Sequence, residues 1–350
     1  MKVTRLTLHG FTVFSDAVFE FAPGVNVLIG ENGTGKSHVL KLIYALSRAA
    51  RHPSMAEDSP GQSSAAAQFL ASEQLKTVFK PDELAALVSD RGKQSILALN
   101  WDDAQMGLRI GADGAVAIQA SSEILAPANP ALFIPPREVL SIFPGFAAAW
   151  LNRESAFDRT YFDLCIALDL KALRTGGPPN LLEPLERELG GKVVMKDGKF
   201  FLRHAAGDRE ISMVADGDRK LAMIAHLLTN GSIAENTCLL WDEPEANLNP
   251  KRAQLMADTI GRLAGAGVQV FLATHDYALA SELALKVDTG DLPKGSTAFF
   301  GLYRDAARTG VVVERGERLA DIQHNSMLDA LASLHAREED AVFASDEADA

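Results

Sequence analysis

Residues Gly30-Glu31-Asn32-Gly33-Thr34-Gly35-Lys36-Ser37 match the pattern G-x-x-x-x-G-K-[ST] and directly follow the apolar run Val25-Asn26-Val27-Leu28-Ile29. A buried strand that feeds a glycine-rich turn opening a helix surrounds a polyphosphate with backbone N–H groups and the positive end of the helix dipole. Every residue of the loop is therefore a candidate nucleotide contact. Lys36 would reach the β- and γ-phosphates, and Ser37 would ligate magnesium. The competing reading is a glycine turn ahead of a core helix, and the loop alone does not say which nucleotide it takes.

A second set of residues supplies what such a loop lacks. The apolar run Cys238-Leu239-Leu240-Trp241 ends in Asp242-Glu243-Pro244, and ligands of open α/β sheets bind at the carboxyl ends of strands. Asp242 is placed to hold the magnesium shell, while Glu243, one residue further, can polarise an attacking water. Val268 to Ala273 leads to Thr274-His275-Asp276, where His275 can reach a γ-phosphate or serve as an ordinary structural histidine. Val214-Ala215-Asp216-Gly217-Asp218-Arg219-Lys220-Leu221 opens a further helix. Gly217 and that helix's first turn could present N–H groups to an anion, or the segment is simply an Asp-capped helix. Asn249 and Pro250 suit the N-cap and first position of the next helix.

These residues need a scaffold. After the loop, Val39, Leu42, Ile43 and Leu46 recur on one helical face. Residues 3–21 alternate as two or three short strands expected to pair antiparallel, and 95–101, 105–110 and 115–120 suggest a β-meander turning at Asp102-Asp103 and Asp113-Gly114. Residues 53–68, rich in Ser, Ala, Gly and Pro, predict a mobile connector. Ala131 to Ile134 is a buried run stopped by Pro135-Pro136; 145–190 reads as helical, and 192–203 as a hairpin turning at Asp197-Gly198. From about residue 210 helices and strands alternate, as in a parallel sheet.

The net charge of −12 excludes a protein whose whole surface grips nucleic acid, while leaving room for a local basic groove. Arg48, Arg51 and His52, like Arg219 and Lys220, read as solvated helix faces. The two cysteines, Cys165 and Cys238, have no metal-binding spacing and suit buried apolar positions. With no apolar stretch of spanning length and no leader pattern, a cytoplasmic protein without membrane contact is expected. The acidic tail reads as a solvated, frayed terminus.

GENGTGKS, LLWDEPEANLNP and ATHD, in this order, resemble the Walker A, Walker B with D-loop, and switch-histidine motifs of ABC-type ATPase heads of the SMC, RecF and OLD branch, known as AAA-family ATP-binding proteins. VADGDRKLA stands where that family carries its signature, with Ala215 near the place of the usual serine. IPPRE, residues 134–138, looks like a segment of small OLD-like ATPases. The resemblance implies an α/β phosphate-loop NTPase, ABC-ATPase-like, with an antiparallel β-subdomain and a helical insertion. Its core would be 1–52 and 205–330, the inserted β/helical lid 53–204, and the acidic tail 331–350. It further implies that ATP and Mg2+ bind, that two copies close over two ATP molecules, and that Gly217 of one copy completes the site of the other. Glu243 and His275 would be the catalytic residues, and Ser37 and Asp242 the metal ligands. The stretch after His275 is too short for the nuclease domain of OLD enzymes, and without N-K-x-D a GTPase is disfavoured. The expected action is on DNA or a DNA-linked partner in repair or phage defence. The alternative is an ATP-dependent sensor or scaffold for a separately encoded effector such as a nuclease.

Overall fold

The computed structural model describes residues 2–51, 65–89, 93–102, 104–120, 131–152, 155–305 and 309–348. β1 (Val3–Phe11) and β2 (Phe14–Glu20) form an antiparallel hairpin, followed by β3 (Val25–Gly30), the glycine loop and α1 (Lys36–Ala50). Next come α2 (Ala65–Phe79) and the meander β4 (Ser95–Trp101), β5 (Ala104–Ile110) and β6 (Val116–Ala120). β7 (Ala131–Ile134) leads to α3 (Phe146–Leu151), α4 (Arg159–Leu168) and α5 (Pro179–Leu189). The small sheet β8 (Lys192–Lys196), β9 (Lys199–His204) and β10 (Gly207–Glu210) precedes α6 (Asp216–Thr229) and β11 (Cys238–Asp242). The chain closes with α7 (Ala253–Gly265), β12 (Gln269–Thr274), α8 (Tyr277–Thr289), β13 (Thr297–Arg304), β14 (Val311–Gly316) and α9 (Ser326–Ala348).

The central sheet has the order β14-β13-β3-β12-β11-β7, parallel except for β14. Both of its faces are covered, so its strands are continuously apolar and successive side chains feed two different cores. Leu28, Phe133, Leu240, Phe271 and Phe300 join the cluster that holds β1, β2, α1 and the meander. Val27, Ile29, Leu239, Trp241, Leu272 and Phe299 join the cluster under α6, α7 and α8.

The second sheet, β2-β1-β4-β5-β6, forms because the meander hydrogen-bonds directly to β1. Part of the stretch read as a mobile connector is helix: Ala65 to Gln68 open α2, while 53–64 lie outside the described residues. The predicted turn at Asp102-Asp103 also falls partly outside them, at Asp103. Asn249 does not cap α7. Its Oδ1 accepts from Lys251 N at 3.0 Å and opens a 3-10 turn, and α7 starts at Ala253. The acidic tail, read as frayed, is helical through Ala348. Both cysteines are free, and burial pushes each thiol up to about 12.

Arg48 is no solvated residue, since it pairs with Asp163 of α4 at 3.4 Å. Tyr44 Oη also donates to Asp163, at 2.8 Å, and Lys41 pairs with Asp158 at 2.6 Å, so α4 is clamped to α1. His52 lies outside the described residues. Among the described residues no helix is long and apolar enough to cross a membrane.

Candidate functional site

Parallel register brings the carboxyl ends of three strands to one level: Ile29 of β3 lies opposite Thr274 of β12, and Ala273 opposite Asp242 of β11. Gly30 ends β3 with φ 147, and a Cβ there would overlap the Leu302 carbonyl oxygen of β13. Only glycine fits. Thr34 Oγ1 donates to Glu31 O at 2.8 Å and closes the loop. Gly35 is the N-cap of α1 and provides no capping side chain, so the first-turn N–H groups are left for a ligand.

Lys36 folds back beneath the loop, with its Nζ donating to Gly30 O at 2.6 Å and Glu31 O at 2.9 Å. Burial pulls its amine below the usual lysine range, opposed by Asp242, Glu243, Glu245 and Glu31. Neutral carbonyls are weaker partners than phosphate oxygens, so an anion in the loop would take over this ammonium.

Ser37 Oγ donates to Asp242 Oδ1 at 3.0 Å. Burial pushes the Asp242 carboxyl up to about 6; the Ser37 hydrogen bond opposes the rise and the neighbouring Glu243 adds to it. A hydroxyl beside a buried carboxylate is a hard-oxygen pair of the type magnesium takes while keeping water and phosphate oxygens in its shell. Among the described residues no group of three or more His, Cys, Asp or Glu could hold a metal ion. The hydroxyl and carboxylate present fit a magnesium ion shared with a phosphate, which Ser37 and Asp242 would hold.

Glu243 leaves β11 with a left-handed φ of 48, its N–H donating to Ala273 O at 2.8 Å. Its Oε1 lies 3.5 Å from His275 Nδ1, and both side chains are partly exposed at the strand ends. The structure therefore brings together the loop 30–37, Asp242, Glu243 and His275. It does not bring Gly217 to them: a Cβ there would meet Leu248 at 2.7 Å and Asn247 at 4.0 Å. Ala215, and no aspartate, is the N-cap of α6, without a side-chain hydrogen bond.

Two residues of this neighbourhood were given no role in the site from the sequence. Glu245 Oε1 accepts from Thr274 Oγ1 at 2.7 Å and from His275 N at 3.2 Å, tying the turn after β11 to the end of β12. Burial raises its carboxyl. Lys220, read as a solvated surface residue beside Arg219, is 1% exposed and donates to Glu243 O at 3.0 Å and Pro244 O at 3.3 Å. Its spacing with Ile224 and Leu227 marks the inward face of α6, and that was the available signal. Arg219 is likewise enclosed, pairing with Glu138 at 3.1 Å and with Asp216.

Residues 92–281 match the family model described as "AAA domain, putative AbiEii toxin, Type IV TA system", and residues 1–123 match "AAA ATPase domain". The DNA replication and repair protein RecF of Limosilactobacillus reuteri is 48% identical over 52 residues, 15% of this chain and 14% of the relative. RecF of a Nocardioides species is 42% identical over 60 residues, 17% and 14% of the two chains. The chain thus spans 14% of the length of these curated relatives. Among solved structures, an SmcHead bound to the C-winged helix domain of ScpA superposes with TM-score 0.55 at 15% identity, covering 92% of this chain and 100% of that one. An Smc head with an extended coiled coil, bound to the C-terminal domain of ScpA derived from Pyrococcus furiosus, gives 0.51 at 13% identity, covering 95% and 99%. With the first family model matching more than half of its length, the chain belongs to this AAA domain family, and its fold is an SMC- and RecF-like ABC-type ATPase head.

Proposed function

We propose that this chain binds ATP with magnesium and hydrolyses it to ADP and phosphate, and that two copies close over two nucleotides to act on DNA or a DNA-linked partner in repair or phage defence. The observation that carries the reading is the Ser37 to Asp242 contact of 3.0 Å above a buried Lys36, with Glu243 one residue beyond. Lys36 and the loop amides hold the phosphates. Glu243 accepts the proton of the attacking water, and His275, 3.5 Å away, orients water and γ-phosphate. Magnesium, when bound, supplies charge neutralisation at the β- and γ-oxygens. Gly217 and the uncapped start of α6 face the nucleotide of the second copy, with backbone N–H groups in place of the hydroxyl that Ala215 lacks.

The DNA step is supported by the RecF relatives, and the net charge of −12 limits such contact to a local surface. A cytoplasmic location goes with this reading. A second reading, an ATP-dependent sensor or scaffold for a separately encoded effector, is favoured by one observation: Leu328, Leu331 and Leu334 stand exposed at helical spacing on α9. ATP turnover measured with duplex DNA, single strands and DNA ends separates the two. Stimulation supports the first reading, whereas unchanged turnover and unchanged DNA mobility would leave only the second. Absence of any turnover would remove both the hydrolysis and the cycle.

A further inference from the structure

Lysine is almost never fully buried unless its charge is met, because the ammonium loses its hydration. Lys220 is 1% exposed, and both of its hydrogen bonds go to backbone carbonyls, those of Glu243 and Pro244. We infer that Lys220 is a positioning residue: it locks the turn after β11 so that the Glu243 carboxylate keeps its aim, and it makes that aim depend on the seating of α6. The inference rests on the proposed role of Glu243 as the base that activates water.

The turn needs such a lock. Glu243 holds φ 48, a conformation that residues with a side chain adopt at a cost, and it persists only where the surroundings over-determine it. On one side its N–H is held by Ala273 O of β12 at 2.8 Å. On the other side its carbonyl is held by Lys220 at 3.0 Å. The peptide groups on either side of the Glu243 Cα are thus pinned, and with them the Cα–Cβ bond from which the carboxylate extends.

The choice of acceptors matters chemically. Glu243, Glu245 and Glu138 all act on Lys220 through their charge, yet the ammonium bonds to the carbonyls. An ammonium bonded to the Glu243 carboxylate would compete with water for it. Bonded to the carbonyls, it offsets the negative field and leaves that carboxylate free.

Lys220 is also one helical turn from the start of α6, where Gly217 packs on Leu248 and Asn247 Nδ2 donates to Asp216 Oδ2 at 3.5 Å. A displacement of that end of α6 moves the ammonium against Glu243. Anything that seats or unseats the helix start therefore changes hydrolysis more than ATP affinity.

The test compares Lys220→Met, which keeps volume and loses the donors, with Lys220→Arg, which restores charge and donors. In the nucleotide-free protein, amide exchange across 241–248 is expected to be at least about tenfold faster in Lys220→Met. ATP affinity should stay within about threefold of wild type while kcat falls about 100-fold, the effect of an ångström-scale misplacement of a reacting group. Lys220→Arg should recover a large part of kcat. Wild-type exchange and wild-type kcat in Lys220→Met would overturn the inference. So would a parallel loss of affinity and kcat that Lys220→Arg does not relieve, which marks a residue needed only for packing. If Lys220→Met does not fold, Lys220→Leu, likewise without a donor, is judged by the same outcomes. A wild-type protein without turnover sinks the proposed ATPase, while the exchange measurement still decides whether Lys220 locks the turn.

Discussion

Replacing Gly30 by alanine is expected to damage both the fold and the nucleotide site, and the same substitution at Gly33 provides the control. At Gly33, φ is 79 and a Cβ would meet nothing within 4 Å, so the cost is conformational alone, about 1–2 kcal/mol. At Gly30, φ is 147, a region essentially reserved for glycine, and strain of this kind costs about 1–3 kcal/mol. The Cβ would also overlap the Leu302 carbonyl oxygen, which is backbone of the adjacent strand and cannot rotate away. β3 and β13 must part there. Leaving a buried ladder group unpaired adds about 1–3 kcal/mol. The total for Gly30→Ala is about 2–6 kcal/mol, a large share of an ordinary domain stability of about 5–15 kcal/mol. Urea unfolding should thus separate the two variants by about 2.5 kcal/mol, the gap between the centres of the two ranges, Gly30→Ala being the weaker. Because Lys36 Nζ bonds to Gly30 O at 2.6 Å, shifting that carbonyl moves the ammonium, and ATP affinity should fall in Gly30→Ala more than in Gly33→Ala. Equal unfolding midpoints, or wild-type ATP affinity in Gly30→Ala, would refute the close-approach argument.

Lys36→Ala should lose ATP binding in equilibrium titrations, because the phosphates lose their buried cation; wild-type affinity would contradict that role. Glu243→Gln should keep ATP bound, turn over at least about 100-fold more slowly, and accumulate a dimer by light scattering, since water activation fails while magnesium binding survives. A monomer throughout counts against closure over two nucleotides. Asp163→Ala should lower stability by about 3 kcal/mol, because it strands Arg48, Arg159 and Tyr44 around an enclosed site; denaturant curves matching wild type would make the clamp between α1 and α4 unimportant. His226 is held by Leu168 O at 2.8 Å, and burial lowers its pKa below 6.5. The unfolded chain then takes up the proton first, so stability is lost as pH falls below 6.5 toward the folded value, and the slope should shrink in His226→Gln. A pH-independent melting temperature across that window would remove the assignment.

What could be read without coordinates was contiguous. The loop 30–37, the acidic end of β11 and the Thr274-His275 pair each sit within a few residues of an apolar strand, and strand ends in a parallel sheet share one edge by topology. The hairpin at Asp197-Gly198 and the meander strands were equally local, set by turn residues and period-two alternation. Three things were decided only by tertiary packing. The meander pairs with β1, a long-range register to which neither strand alone points. The basic residues Arg48, Arg219 and Lys220 have the character of surface residues, and acids and carbonyls of distant segments are what draw the two arginines partly and the lysine fully out of solvent. The support of Glu243 comes from α6, 23 residues earlier in sequence, and from β12, both outside any local pattern. The sequence by itself determined where the glycine loop, the acidic strand end and the Thr274-His275 pair fall, because strand, loop and helix signals are short-ranged. Tertiary structure alone decided what holds them in aim, because a buried charge takes its partners from wherever the fold brings them.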